Sequence, residues 1–275
     1  MKYADKLSKI QKKNNSFVCV GLDSNLNKLP KFLLENRYPQ FAFNKAIIDT
    51  THKFVCAYKP NSAFYEVQGE YGILQLKMTC DYLREKYPQI PIILDVKRAD
   101  IGESNERYDK FAFEYLGVDA ITLHPYLGHE ALEPFLKHED KCCYILCRTS
   151  NHGAGEFQDL KVAGKPLYQV VAKKVATVWN KNQNCGLVVG ATYPEELETV
   201  RKIAPNLQLL IPGVGSQGGD LKKSVLYAAN KTNDGFVISA SRSIIFAGSG
   251  EDFAQKAKEE TEKLRDQINA VRENL

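Results

Sequence analysis

The sequence reads PIILDVKRADIGES from Pro91 to Ser104. Its apolar beginning is rich in β-branched residues, a pattern typical of a strand that is buried on both faces. Because side chains alternate along a strand, we expect Asp95 and Lys97 to point to the same side, about 6–7 Å apart along the strand. Asp100 follows in a turn, and a helix begins just after it. Two acids and a base at the carboxyl end of a buried strand indicate a catalytic array, although an ordinary ion pair at a strand end has the same pattern.

Length and composition favour a globular α/β protein. The chain has 275 residues, of which 44% are hydrophobic and 25% charged, as in an ordinary soluble protein. The net charge of +4 comes without a basic block, so we expect no nucleic-acid partner. Met1–Asn14 has the pattern of an amphipathic helix rather than a signal peptide, and no run is long enough to span a membrane. The seven cysteines show no zinc spacing and indicate buried reduced thiols. We therefore expect a cytoplasmic protein.

Eight short apolar segments, each followed by a helical pattern, predict the order of the elements. The third is the apolar part of the opening stretch, and the others are Phe17–Leu22, Phe54–Tyr58, Asp119–Leu123, Cys142–Leu146, Gly186–Val189, Leu207–Ile211 and Gly235–Ser239. This alternation is typical of a (β/α)8 TIM barrel, which usually needs about 250 residues. We predict a single barrel domain over residues 1–275 with an N-terminal helix. A doubly wound open sheet is disfavoured, because it usually has fewer strands and no Gly-x-Gly-x-x-Gly follows the first one.

Polar residues follow the carboxyl ends of the predicted strands, where the active site of this fold lies. They are Asp23, Lys59, Asn61, Asp95, Lys97, Thr149, Ser150, Gln217 and Arg242. Because the carboxyl ends of all the strands meet at one mouth, we expect these side chains to surround a common site.

The last two strand ends predict a phosphate site. The glycines of Gly213–Gly219 allow several backbone N–H groups to approach an anion, because glycine has no Cβ. Ser241-Arg242-Ser243 adds a guanidinium suited to bidentate phosphate binding, and a phosphate site after strands seven and eight recurs in barrel enzymes. The alternative is a flexible glycine-rich turn beside a solvated arginine. We predict that phosphate is bound by this glycine-rich segment, Gly218 included, and by Ser241 and Arg242.

Taken together, these motifs resemble the orotidine 5′-monophosphate decarboxylase family. The resemblance runs from the first strand to the eighth and rests on Lys59-Pro60-Asn61, Asp95-x-Lys97-x-x-Asp100-Ile101-Gly102, Gly213-Val214-Gly215-x-Gln217-Gly218-Gly219 and Ser241-Arg242-Ser243. The Asp-x-Lys-x-x-Asp motif alone is shared with hexulose-phosphate synthases and keto-gulonate-phosphate decarboxylases. Ser24–Pro39 and Gly153–Gly164 are longer than in compact bacterial members, so the chain is more similar to the larger branch of the family.

The resemblance implies a catalytic role for four residues. Lys97 would stabilise the carbanion that develops at ring carbon six and then protonate it, while Asp95 would lie against the substrate carboxylate. Lys59 and Asp100 would complete an alternating Lys-Asp-Lys-Asp chain. In this family the second aspartate of the motif reaches the site of the other subunit of a homodimer. Here that residue would be Asp100, accompanied by Ile101 and by Ser104, which stands where threonine is common.

The resemblance also implies how the substrate, orotidylate, is held. Asp23 and Asn61 would bind ribose hydroxyls, and Ser150 with Thr149 beside it would contact the pyrimidine edge. Gln217 and Arg242 would bind the phosphate, and the Gly153–Gly164 and Gly213–Asp220 segments would be lids. No metal or cofactor is implied. Carbon six has no π system to delocalise the new charge, so a preorganised cation is the expected means of catalysis.

Three alternatives fit the sequence less well. A magnesium-dependent sugar-phosphate aldolase or decarboxylase needs acidic ligands at neighbouring strand ends, but the fourth strand ends Thr122-Leu123-His124-Pro125, without a carboxylate. A Schiff-base aldolase needs a neutral lysine, and the flanking aspartates favour the charged ammonium. A catalytically silent phosphate-binding barrel has no reason to keep Lys97 between two aspartates.

Overall fold

Short, mostly apolar segments form the eight parallel strands of the central sheet. The computed structural model describes residues 1–214 and 218–275. The strands are β1 Val18–Gly21, β2 Ala57–Lys59, β3 Ile93–Arg98, β4 Ala120–Leu123, β5 Cys142–Arg148, β6 Cys185–Val189, β7 Gln208–Pro212 and β8 Phe236–Ala240. Their order is β2-β1-β8-β7-β6-β5-β4-β3, and bridges from Tyr58 to Ile92 and from Asn61 to Asp95 join the two outer strands. The predicted (β/α)8 barrel is confirmed.

Helices cover the outside of the sheet. They are α1 Tyr3–Asn14, α2 Pro39–Thr51, α3 Ala63–Glu66, α4 Gly69–Lys86, α5 Gly102–Lys110, α6 Glu133–Leu136, α7 Gly155–Gln158, α8 Leu167–Lys174, α9 Pro194–Ile203, α10 Leu221–Ala228, α11 Arg242–Ile245 and α12 Phe253–Arg272. Two of them continue as a π-helix, over Phe111–Leu116 and over Val175–Trp179. Within the described ranges, no helix has the length and apolar character needed to cross a membrane.

The N-terminal helix α1 closes the amino-terminal end of the barrel. Its Leu7 and Ile10 are buried, as predicted. Lys6 Nζ lies 2.8 Å from a carboxylate oxygen of Asp119, just before β4, and Gln11 donates a hydrogen bond of 3.0 Å to the carbonyl of Phe236 at the start of β8. Because this end is covered, the carboxyl ends of the strands form the open mouth.

Two local predictions about the chain differ from the structure. The second strand begins at Ala57 rather than at Phe54, because the N–H of Phe54 bonds to the carbonyl of Thr51 and so completes the turn that leaves α2. The segment Gly153–Gly164, predicted as a loop, contains α7 and part of a hairpin that pairs Lys161–Val162 with Lys165–Pro166.

The cysteines belong to the interior. All seven are buried and free, as predicted, and burial raises the pKa of the Cys147 thiol to about 12. A thiol with so high a pKa is a poor nucleophile at neutral pH. These side chains therefore act as small apolar groups in the core.

Candidate active site

A cavity of about 530 Å³ lies at the carboxyl ends of the strands, within the usual range for a ligand pocket of this kind. The predicted site residues that line it are Asp23, Lys59, Asn61, Asp95, Lys97, Thr149, Ser150, Ser241 and Arg242. These residues come from the ends of β1, β2, β3, β5 and β8. Parallel strands bring residues that are far apart in sequence to one mouth.

The carboxylate of Asp95 is the centre of the polar network in this cavity. Its Oδ2 accepts from Lys59 Nζ at 3.0 Å and from the amide of Asn61 at 3.4 Å. Its Oδ1 accepts from Lys97 Nζ at 2.6 Å and from the Thr122 hydroxyl at 3.0 Å. Four donors leave this carboxylate little freedom to turn.

The two lysines on Asp95 differ in their access to the cavity. The side chain of Lys59 is 7% exposed, whereas that of Lys97 is 49% exposed. Burial by itself disfavours the charged form of Lys59, but the carboxylates of Asp95 and Asp23 outweigh it and raise its pKa above the ordinary value. Lys59 is therefore a fixed cation behind Asp95, whereas the Lys97 side chain is the more accessible of the two from the cavity.

Burial also disfavours the charged form of Asp95. The ammonium groups of Lys59 and Lys97 outweigh this effect, and the pKa of Asp95 lies well below its ordinary value. An aspartate whose pKa is lowered by folding stabilises the folded state above its unfolded pKa of about 3.9, and this stabilisation is lost as the pH falls through the folded value. The Asp95–Lys59 pair is consequently ionised throughout the neutral range.

Replacing Asp95 by asparagine tests this description. We expect Asp95→Asn to lower the free energy of unfolding by about 3 kcal/mol at pH 7, because a buried ammonium loses its partner. The difference from the wild-type protein should shrink below about pH 4, where the wild-type carboxylate begins to lose its contribution. Urea titrations at several pH values measure both effects. Asp140→Asn, at an exposed position, is the control, with an expected change within about 0.5 kcal/mol; equal stability of wild type and Asp95→Asn at pH 7 contradicts the description.

The backbone around Lys97 is not the regular strand that was predicted. The pairing of β3 with β4 passes from Leu94↔Ile121 directly to Arg98↔Leu123, so three residues of β3 oppose Thr122 alone. Lys97 has a φ of 48°, in the left-handed region that side chains other than glycine rarely occupy. Asp95 and Lys97 do meet, as predicted, but through this bulge rather than through simple alternation.

Some predicted site residues do not line the cavity of their own chain. These are Asp100, Ile101, Ser104 and Gly218, while Gln217 lies outside the described residues. Among the ion pairs of residues 1–214 and 218–275, Lys97 pairs with Asp95 only. The backbone of Asp100 is held by Asn105, whose Oδ1 accepts from the Asp100 N–H at 2.7 Å, and Ile101 is 67% exposed.

The segment after β5 supplies a cavity residue that sequence reasoning missed. Gln158, in α7, accepts from the N–H of Thr149 at 2.9 Å and donates to its hydroxyl at 2.8 Å. Beneath it, the buried guanidinium of Arg148 lies 4.1 Å from the ring centre of Tyr193 and 3.3 Å from a carboxylate oxygen of Asp159. These contacts fix α7 over the end of β5, an arrangement with no local sequence signal.

Backbone hydrogen bonding joins the beginning and the end of the glycine-rich segment after β7. Gly213 and Gly218 have φ values of 99° and 77°, which glycine adopts without strain. A bridge joins Val214 to Gly219, and the Gly219 N–H bonds to the carbonyl of Gly213 at 3.2 Å. On the neighbouring strand end, the Ser241 hydroxyl donates to the carbonyl of Gly21 at 3.2 Å.

Comparison of the chain with known proteins agrees with this geometry. The profile of the "Orotidine 5′-phosphate decarboxylase / HUMPS family" matches residues 16–257. The chain belongs to this family. An orotidine 5′-phosphate decarboxylase of Cellvibrio japonicus is 44% identical over 274 residues, which cover 99% of this chain and 100% of that protein. The resemblance found in the motifs is thereby confirmed.

Two solved structures of Leishmania donovani proteins show the same architecture. The OMP decarboxylase has a TM-score of 0.85 and 37% identity, with 99% of each chain covered. The UMP synthase has a TM-score of 0.87 and 37% identity, and this decarboxylase-family chain spans 57% of its length.

Within the described residues, no group of three or more His, Cys, Asp or Glu side chains is arranged to hold a metal ion.

Proposed function

We propose that this protein decarboxylates orotidine 5′-monophosphate to uridine 5′-monophosphate, the last step of de novo UMP synthesis, without a metal or cofactor. The proposal rests on the environment of Lys97. Its side chain is half exposed in the cavity at the end of β3 and contacts Asp95, and the chain belongs to this family. The bond between carbon six and the carboxylate breaks, carbon dioxide leaves, and the electron pair stays on carbon six. A proton from Lys97 Nζ then forms the new C–H bond, and solvent returns a proton to the amine.

The electrostatics of the array suit this step. Charge appears at carbon six only as the transition state forms, so an ammonium already fixed at that point stabilises the transition state more than the substrate. Asp95 holds Lys97 Nζ at 2.6 Å. Lys59, buried on the other side of the same carboxylate, keeps Asp95 ionised beside the substrate carboxylate.

The remaining lining residues give the substrate three anchors. Asp23 Oδ1 is buried and has no hydrogen-bond partner among the described residues, which suits a ribose hydroxyl donor, with Asn61 beside it. Thr149 and Ser150 face the pyrimidine edge. Arg242, with Ser241 and the beginning of the glycine-rich segment after β7, takes the phosphate at the opposite end. Binding energy from anchors far from carbon six offsets the cost of orienting the substrate at the reacting centre.

We also propose a homodimer with shared sites. Asp100, Ile101 and Ser104 are absent from the cavity of their own chain, and Ile101 is 67% exposed. At the end of the adjacent strand β4, Tyr126 and Leu127 are 84% and 43% exposed. A second copy of the chain covers these apolar side chains. Asp100 of the first chain then lies next to Lys97 of the second, and this contact completes the alternating Lys-Asp-Lys-Asp charges.

A spectrophotometric assay tests the proposed reaction. We expect orotidylate to be converted to uridylate at the same rate with and without a chelator, followed by the change in absorbance of the ring. The rival reaction of the superfamily, on a sugar phosphate, requires magnesium and is measured in the same preparations. Decarboxylation that stops on chelation, or turnover of the sugar phosphate alone, contradicts the proposal.

A further inference from the structure

The side chain of Thr122, on β4, contacts the bulge that β3 forms between Leu94 and Arg98. It is 1% exposed and lies on the wall of the cavity. Its hydroxyl oxygen accepts from the N–H of Val96 at 2.9 Å and from the N–H of Lys97 at 3.0 Å, and the hydroxyl lies 3.0 Å from Asp95 Oδ1. A hydroxyl has two lone pairs and one proton, so all of its bonding capacity is used by three consecutive residues of β3.

The bulge explains why a side chain is needed here. With Leu94 opposite Ile121 and Arg98 opposite Leu123, the regular β3–β4 ladder is interrupted over residues 95–97, and the N–H groups of Val96 and Lys97 need an acceptor outside it. Buried N–H groups without a partner are costly. The Thr122 hydroxyl supplies the missing acceptor twice, and its proton is then directed to Asp95.

The same contact offsets the unfavourable conformation of Lys97. A φ of 48° places a lysine in a region that is strained for residues with a Cβ, and such conformations persist only where surrounding contacts impose them. We propose that Thr122 is a positioning residue for decarboxylation, whose hydroxyl holds the bulge in the one backbone conformation that brings Lys97 Nζ to Asp95. It does not contact the reacting atoms.

This inference rests on the proposed function, and it makes a specific kinetic prediction. Thr122→Val keeps the shape of the side chain and removes the hydroxyl. We expect kcat to fall about 10²-fold, as when a preorganised donor is lost or displaced, while KM stays within about threefold because the phosphate and ribose anchors lie on other strands. Thr122→Ser keeps the hydroxyl and should stay within about fivefold of the wild-type kcat.

Binding measurements separate positioning from a general loss of structure. Uridylate, the product, does not use the ammonium at carbon six, so its Kd should be unchanged in Thr122→Val. A nucleotide with an anionic oxygen at carbon six mimics the transition state, and its Kd should rise by about the same factor as kcat falls. Thr261→Val is the matched control: it removes another buried hydroxyl, which donates to a carbonyl within α12, and its kcat should be unchanged.

The outcomes distinguish the two proposals. If wild-type protein does not decarboxylate orotidylate, the proposed function fails, whatever the variants do. If wild type is active and Thr122→Val retains its kcat, or loses affinity for uridylate and for the anionic analogue equally, the positioning role is overturned. If Thr122→Val does not fold, the comparison moves to Thr122→Ser and Thr122→Ala, which differ only in the hydroxyl; equal kcat values in that pair overturn the inference as well.

Discussion

Lys97→Ala is expected to abolish decarboxylation almost completely. In the proposed mechanism, the substitution removes both the cation that stabilises the carbanion and the proton donor that completes the reaction. General acid catalysis contributes about 10²–10⁴-fold and a fixed charge in an active site about 10²–10³-fold. We therefore expect kcat to fall by roughly 10⁴-fold or more, measured by the absorbance change of the pyrimidine ring.

The affinity for uridylate should change far less than kcat in this variant. The phosphate and ribose anchors of the proposed complex are on β1, β2, β7 and β8, and none of them depends on Lys97. Lys202→Ala serves as the control, because the Lys202 side chain is 70% exposed and its ion pair with Glu198 lies within one helix. A Lys97→Ala enzyme whose kcat lies within tenfold of the wild-type value shows that another group provides the charge and the proton.

Mixing Lys97→Ala chains with Asp100→Ala chains should restore activity. Each homodimer lacks one essential group in both of its sites and is expected to be nearly inactive. In a mixed dimer, one site combines Lys97 from one chain with Asp100 from the other and is intact, while the second site lacks both. Random pairing makes half of the dimers mixed, so about one quarter of the wild-type activity per chain should return.

A second mixture provides the control for this experiment. Lys97→Ala and Asp95→Asn both damage the site of the chain that carries them, so no intact site forms when they are combined. The experiment is made by joint refolding or by co-expression, with the dimer confirmed by its mass in solution. Failure of the first mixture to regain activity shows that Asp100 acts within its own chain, or that the chains do not pair.

Much of the fold was predictable from the sequence, for physical reasons that particular segments illustrate. A strand covered on both faces must be apolar throughout, so the segments that became β1 and β3 to β8 could be recognised without any partner. The second strand was misplaced because Phe54 is as apolar as a strand residue, although its N–H completes a turn at the end of α2. Turn hydrogen bonds of this kind leave no periodic signal.

The candidate site was only partly predictable. Charged residues at strand ends, such as Lys59, Asp95 and Arg242, are conspicuous because a buried strand does not tolerate them without a function or a partner. Thr122 and Gln158 were missed, since a threonine in a strand and a glutamine in a segment predicted as a loop are ordinary residues. The signal that was available for Thr122 was its place as a polar residue inside an otherwise apolar strand.

Apolar periodicity and the order of the motifs are local properties, so a (β/α)8 barrel of the orotidine 5′-phosphate decarboxylase family could be recognised from the amino-acid sequence. The assembly of the site depends instead on contacts between strands. The bulge that gives Lys97 its φ of 48° makes two backbone hydrogen bonds to the side chain of Thr122, which lies on another strand. Contacts between residues distant in the chain depend on strand register, which no local pattern records.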